Sequence, residues 1–151
     1  MRFQVKTKVE QDFKSVHKQF NLLLFMKLKS PLMSFIVKRF DGCNLGDIIE
    51  LDAKILFIKQ YWLAEIIEAK ETDEEIYFVD TGVKTPFPIK HWTHKHRIIK
   101  QSKSSVIIDD ITFKTSNFIF DMILFPVVYV QFYWRKHIYK NYFKVKDGHN
   151  L

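Results

Sequence analysis

SNFIFDMILFPVVYVQFYWRKHIYKNYFKVK, residues 116–146, is the longest stretch with helical character in the chain. Its first half is apolar on nearly every side, and its second half alternates aromatic residues with Arg135, Lys136, Lys140, Lys144 and Lys146. Ser116 or Asn117 can cap the start, Asp121 suits the positive end of a helix, and the basic residues suit the other end. On a helical wheel Phe118, Met122, Phe125, Tyr129, Phe132 and Tyr133 form a stripe expected to meet the rest of the protein. Phe120, Ile123, Val127, Val130 and Trp134 form a second, opposed stripe, which needs another cover: a homodimer through the helix, or the early helices folding back. Pro126 removes a backbone donor and predicts a kink. A membrane span is the sharper alternative, but residues 118–134 fall short of the roughly 20 that a span needs and contain Asp121, Pro126 and Gln131. No stable membrane insertion is expected.

Working outward, the chain before this helix is mostly strand. Residues 1–9 alternate, with Phe3, Val5 and Thr7 on one face. From Gln11 the period turns helical, with Phe13, Val16, Phe20, Leu23 and Leu24 on one stripe. Asn21 divides this part into two short helices, which end ahead of Pro31. Six strands follow: 34–40 up to the turn Asp41-Gly42, 48–55, 59–70, 75–80, 90–101 and 106–114. A loop is expected at Thr81-Gly82 and through Thr85-Pro86-Phe87-Pro88. Short connections imply an antiparallel meander. The fold class is α+β: one strand, two short helices, six strands and one long helix. A curved seven-stranded sheet must cover its apolar face, and only the final helix is long enough to do so.

A chain of 151 residues without linkers or repeats reads as a single domain, 1–151, burying roughly 68–70% of its unfolded surface. The lone Cys43 excludes an internal disulfide framework. The first residues show no secretory signal, so a cytoplasmic location is expected. A formal charge of +7 raises nucleic acid as a partner, but the lysines are scattered and no nucleic-acid motif accompanies them. No nucleic-acid partner is expected.

Period 2 places Trp92, His94, His96 and Ile98 on one face of the strand 90–101. By the same rule Ile107, Asp109, Ile111 and Phe113 point inward from the last strand, as do Gln60, Trp62, Ala64 and Ile66 from the strand 59–70. Phe78 and Asp80 share the inner face between them. An apolar concave surface with a few polar groups is what a small-molecule pocket needs. The cavity candidates are Trp62, Phe78, Asp80, Trp92, His94, His96, Asp109, Ile111, Phe113, Met122, Phe125 and Tyr129. The competing reading is that 15 Phe fill the space and leave no cavity. His94 and His96 could present two imidazoles to one ion, with Asp80 or Asp109 as a third ligand. Each could equally be hydrogen-bonded to a buried carboxylate, and this second reading is preferred. No metal and no cofactor are expected. The same groups could act as an acid/base pair on a bound carbonyl compound. Arg39, Asp41 and Asp47 are expected to form a turn-stabilising network. The chain has no GxGxxG, Walker-type or CxxC pattern.

RFDG (39–42), LGDIIEL (45–51), QYWLAEI (60–66), YFVDTG (77–82), TPFPIKHWTHKH (85–96), IIDDITF (107–113) and the helix segment 118–143 resemble the START-like, or SRPBCC, superfamily, and more narrowly bacterial SRPBCC proteins of undefined function. The resemblance covers almost the whole chain. It implies the helix-grip fold, shared with the birch pollen allergen. It also implies a hydrophobic small-molecule ligand, lipid-like or polyketide-like, between sheet and helix. The alternative it implies is a cyclase or dehydratase, here with His94, His96 and Asp109 as the acid/base groups, although no catalytic signature of such an enzyme is present.

Overall fold

The computed structural model describes residues 1–55 and 57–144. Its elements are β1 (Arg2–Val9), α1 (Phe13–Lys18), α2 (Leu22–Lys27), β2 (Met33–Phe40), β3 (Ile48–Ile55), β4 (Ile58–Glu71), β5 (Glu75–Lys84), β6 (Ile89–Lys100), β7 (Ser105–Thr115) and α3 (Phe118–Tyr142). The seven strands form one antiparallel sheet in the order β1-β7-β6-β5-β4-β3-β2. Strands β2 to β7 follow one another across the sheet as the short connections imply, and β1 closes the far edge against β7. The long helix crosses the face of the β1–β7 edge. This is the α+β architecture expected from the sequence.

Local chemistry sets the boundaries. Asp12 caps α1 by accepting from the amides of Lys14 and Ser15, Asn21 caps α2, and Asn117 caps α3 by accepting from the Phe120 amide. The Asp121 carboxylate turns back and accepts from the Thr115 amide (2.6 Å), tying the first turn of α3 to the end of β7. At the β2–β3 turn Arg39 Nε donates to Asp41 Oδ1 (2.9 Å), and Asp41 Oδ2 accepts from the Ile48 amide (3.1 Å). Arg39 and Asp41 are joined as expected, and Asp47 stabilises the turn separately, its Oδ2 accepting from the Asn44 amide (2.7 Å). Gly42 there has φ 144°, where only glycine is at ease.

Three features differ from expectation. The segment Thr81-Gly82 is strand rather than loop: β5 runs on to Lys84, with Gly82 opposite Ala64 and Thr81 opposite Thr93. Glycine is required at 82 by close approach, since a Cβ there would lie 2.3 Å from Thr85 Cγ2 and 3.2 Å from Trp92 Cβ. Secondly, α3 does not cover the sheet alone. It packs on β1, β6 and β7 through Val128, Phe132, Val5, Trp92 and Phe113. Cover over β2–β5 comes from the short helices, where Phe25 stacks against Phe35 (5.0 Å) and Phe40 (5.4 Å). Thirdly, α3 is continuous through Pro126, which lies exposed on the outer side, away from the sheet. Val145 and Lys146, expected to end the helix, lie outside the described residues.

The orientation of α3 also differs. Its buried residues are Asp121, Val128, Gln131, Phe132, Arg135 and Tyr139. Of the stripe expected to face inward, only Phe125 and Phe132 do so, while Phe118, Met122, Tyr129 and Tyr133 are exposed.

Candidate ligand-binding site

The site begins with strand register. Asp80 on β5 stands opposite His94 on β6, and Phe78 opposite His96. On the other side His96 stands opposite Asp109 and His94 opposite Ile111 on β7. Residues two apart share a face, so all these side chains rise from one side of the sheet. His94 Nε2 lies 2.9 Å from Asp109 Oδ1, and His96 Nε2 lies 3.0 Å from Asp80 Oδ2. The two imidazoles are stacked with centroids 3.6 Å apart and planes tilted 37°. Trp92 Nε1 donates to Asp80 Oδ1 (3.2 Å), and Phe78 stacks on His96 at 4.3 Å. Two imidazoles therefore sit between two carboxylates, walled by aromatic rings.

From above, α3 adds Arg135, Gln131 and Tyr139. The Tyr139 hydroxyl is 3.5 Å from Asp109 Oδ1, and Arg135 Nη1 is 4.0 Å from the same oxygen. The Arg135 guanidinium lies over the Phe132 ring at 4.1 Å, and its Nε has no hydrogen-bond partner. Gln131 accepts from the Ser30 hydroxyl and donates to the Leu28 carbonyl (3.4 Å), which fastens α3 to the α2–β2 connection.

Burial and charge set the ionisation of these groups. Burial and the neighbouring His94 push His96 down to about 4, so it is neutral near pH 7. Burial alone would raise Asp80, but the His96 hydrogen bond and the facing imidazoles outweigh it and hold the carboxyl below the usual range. Asp109 is likewise held low, because its bond to His94 and the nearby Arg135 outweigh burial. Burial beside Asp109 raises the Tyr139 phenol.

Next to this cluster lies a cavity of about 130 Å³ between β2–β6, α2 and α3. Of the cavity candidates, Trp62, Phe78, Asp80, Trp92, His94 and His96 line it. Asp109, Ile111 and Phe113 are buried on the same sheet face but do not line it. Asp109 backs His94, and the other two belong to the core beneath Phe132. Phe125 is half-buried against Phe3 (5.5 Å). Met122 and Tyr129 are placed differently from expectation: Met122 is 54% exposed, and Tyr129 stacks on Phe125 and Tyr133 outside the cavity. The reason is the inward turn of Asp121, Gln131 and Arg135, which rotates the aromatic stripe outward. Sequence reasoning missed Arg135 and Gln131, and also Leu24 and Phe25 from α2 and Phe20 from the α1–α2 connection. A signal for the first two existed. Asp121, Val128 and Arg135 recur every seven residues, and Gln131, Arg135 and Tyr139 every four.

No family model and no curated protein sequence matches the chain. Solved structures do. A Mycobacterium smegmatis protein superposes with TM-score 0.70 at 10% identity, covering 97% of this chain and 92% of that one. A Streptomyces aromatase/cyclase gives 0.64 at 11% identity, with 91% and 90% covered. A point mutant of norcoclaurine synthase from Thalictrum flavum, in complex with a transition-state analogue, gives 0.62 at 10% identity, with 92% and 91% covered. The fold is the helix grip. At these identities the likeness establishes the helix grip alone. Within it, the cavity lies where the long helix and the sheet part, with the His–Asp cluster at one end.

Proposed function

We propose that this helix-grip protein binds a small hydrophobic molecule, lipid-like or polyketide-like, in the cavity between the sheet, α2 and α3. One observation carries the reading: a cavity remains despite the 15 Phe, walled by apolar side chains and polar at one end. An apolar pocket of roughly 150 Å³ takes a molecule the size of benzene, so the ring-sized part of a ligand fits as the side chains stand. At the polar end the Arg135 Nε–H has no partner and is a donor for a carbonyl or carboxylate. The named activities of the neighbouring aromatase/cyclase and norcoclaurine synthase are consistent with small-molecule chemistry on this fold.

Native mass spectrometry of the freshly purified chain tests the reading. A ligand that dissociates on activation, or saturable uptake from a panel of fatty acids and aromatic polyketides, supports it. A bare protein mass together with no uptake from the panel sinks it.

A second reading is favoured by the His94–Asp109 distance of 2.9 Å beside the cavity. An imidazole oriented by a carboxylate can move a proton on a bound carbonyl compound, as a cyclase or dehydratase needs. His94→Gln, which keeps a polar group beside Asp109, would then abolish turnover in a chain that still folds, read by circular dichroism alongside the assay. The proposal includes self-association through the outer face of α3, where Phe118, Ile119, Met122 and Ile123 are exposed. It includes a cytoplasmic location, no nucleic-acid partner and no stable membrane insertion. Although α3 is long and apolar enough to cross a membrane, Asp121, Gln131 and Arg135 on its buried face bind protein groups.

A further inference from the structure

We propose that Asp80, His94 and His96 form a site for one divalent transition-metal ion, with zinc as the best chemical match, at the polar end of the cavity. Each residue offers a ligand atom, and the three atoms lie within 4.8 Å of one another. Asp80 Oδ2 is 3.0 Å from His96 Nε2 and 3.5 Å from His94 Nδ1. Two ligands bound tetrahedrally at zinc distances of about 2.0–2.2 Å are about 3.4 Å apart, so these two separations suit an ion, and the stacked rings, with centroids 3.6 Å apart, splay to bring both lone pairs onto it. Two imidazoles and one carboxylate are the donors that borderline divalent ions select. Three protein ligands with a cavity beside them leave a position for water or for a bound molecule.

Two of the three atoms that would not bind metal are already engaged, and the third, His96 Nδ1, is buried without a hydrogen-bond partner, 3.7 Å from Asp109 Oδ1, where the His96 proton would sit once Nε2 held the ion. His94 Nε2 meets Asp109 Oδ1 at 2.9 Å, and Asp80 Oδ1 accepts from Trp92 Nε1 at 3.2 Å. Outer partners of this kind fix the ring orientation and aim His94 Nδ1 at Asp80 Oδ2, which also meets His96 Nε2 at 3.0 Å. A hydrogen count adds weight. A neutral imidazole carries one N–H. If His94 directs its proton to Asp109, its Nδ1 lone pair faces the lone pairs of Asp80 Oδ2 across 3.5 Å. A cation between them replaces that acceptor-against-acceptor contact with two bonds. Two carboxylates are also buried here against a single guanidinium, Arg135. The sequence favoured no metal because the third ligand could not be placed; the pairing of β5 with β6 places it.

Cobalt(II) and zinc(II) titrations of chelator-stripped chain test the site independently of any organic ligand. One equivalent of cobalt should give the intense visible bands of a four- or five-coordinate ion. Excess zinc should raise the thermal midpoint, since the folded form alone has the ligands assembled. Asp80→Asn and His96→Ala should each weaken binding at least about 100-fold, and Asp109→Asn about 10- to 100-fold. Metal binding that survives unchanged in both Asp80→Asn and His96→Ala would place it on surface histidines and overturn the proposal. So would wild-type chain that shows neither a saturating cobalt spectrum nor a zinc-dependent midpoint. Should a variant fail to fold by circular dichroism, these two wild-type measurements decide.

Discussion

Asp110 sits on the opposite face of β7 from Asp109, and its role is structural. Arg2 grips it with two hydrogen bonds (3.0 and 2.7 Å), and Gln4 adds a third (2.7 Å), pinning β1 to the sheet. The Arg2 guanidinium holds the Asp110 carboxyl below its ordinary range. A depressed folded value means that the pair stabilises the protein fully above the unfolded carboxyl pKa, near 3.9, and that this is lost as pH falls through the folded value. Asp110→Asn should therefore lower the urea midpoint at pH 7 and leave it almost unchanged near pH 2. An equal loss at both values would trace the effect to packing instead. Cys43 lines the cavity and donates to the Phe20 carbonyl (3.5 Å), and burial pushes its thiol up to about 12. Its alkylation by iodoacetamide at pH 8 should lag far behind that of glutathione, because the thiolate is the reactive form. Gln131 ties α3 to Ser30 and Leu28. Gln131→Leu strands both partners and should cost about 1–3 kcal/mol in a denaturant titration.

At the scale of the element, α3 is partly inverted: Asp121, Gln131 and Arg135 point inward beside Val128, Phe132 and Tyr139, and a broad apolar surface on its first half points out. Ile119 and Ile123 are 68% and 62% exposed, so Ile119→Lys/Ile123→Lys should change stability by no more than about 0.5 kcal/mol per site. If the outer face joins two copies, light scattering should show the variant converted to monomer at concentrations where wild type is dimeric. An unchanged mass would remove this face from any self-association. The same inversion explains what was legible in the sequence. Strand alternation is unambiguous, because one sheet face is wet and a one-residue slip would bury lysines; hence Trp92, His94, His96, Ile107, Asp109 and Ile111 lie on the inner face, where period 2 puts them. The helix was read by the rule that apolar residues face the core. That rule fails where apolar residues lie on every side, because only the polar ones then carry positional information. Asp121 has the Thr115 amide to bind and Arg135 has Asp109, and neither partner is visible from within the helix. Thr81-Gly82 was misread for a related reason, since its glycine serves a contact with Thr85 and Trp92 from outside the strand.

For the whole molecule, an unfilled cavity lowers stability, because the side chains around it forgo contacts that a close-packed interior would supply. That cost makes the binding reading measurable without knowing the ligand. Ala64 lies on β4 among the lining residues and is buried, with its small side chain directed at the space. A β-branched replacement suits the strand and occupies the cavity. Ala64→Ile should raise the thermal midpoint and at the same time reduce uptake of any co-purifying hydrophobic molecule. The two readouts must move in opposite directions, as expected when function rests on space left unfilled. Overpacking a filled core costs about 1–3 kcal/mol instead. A fall in the midpoint of that size would show that the side chains relax into the gap in solution, and that the protein holds no room for a ligand.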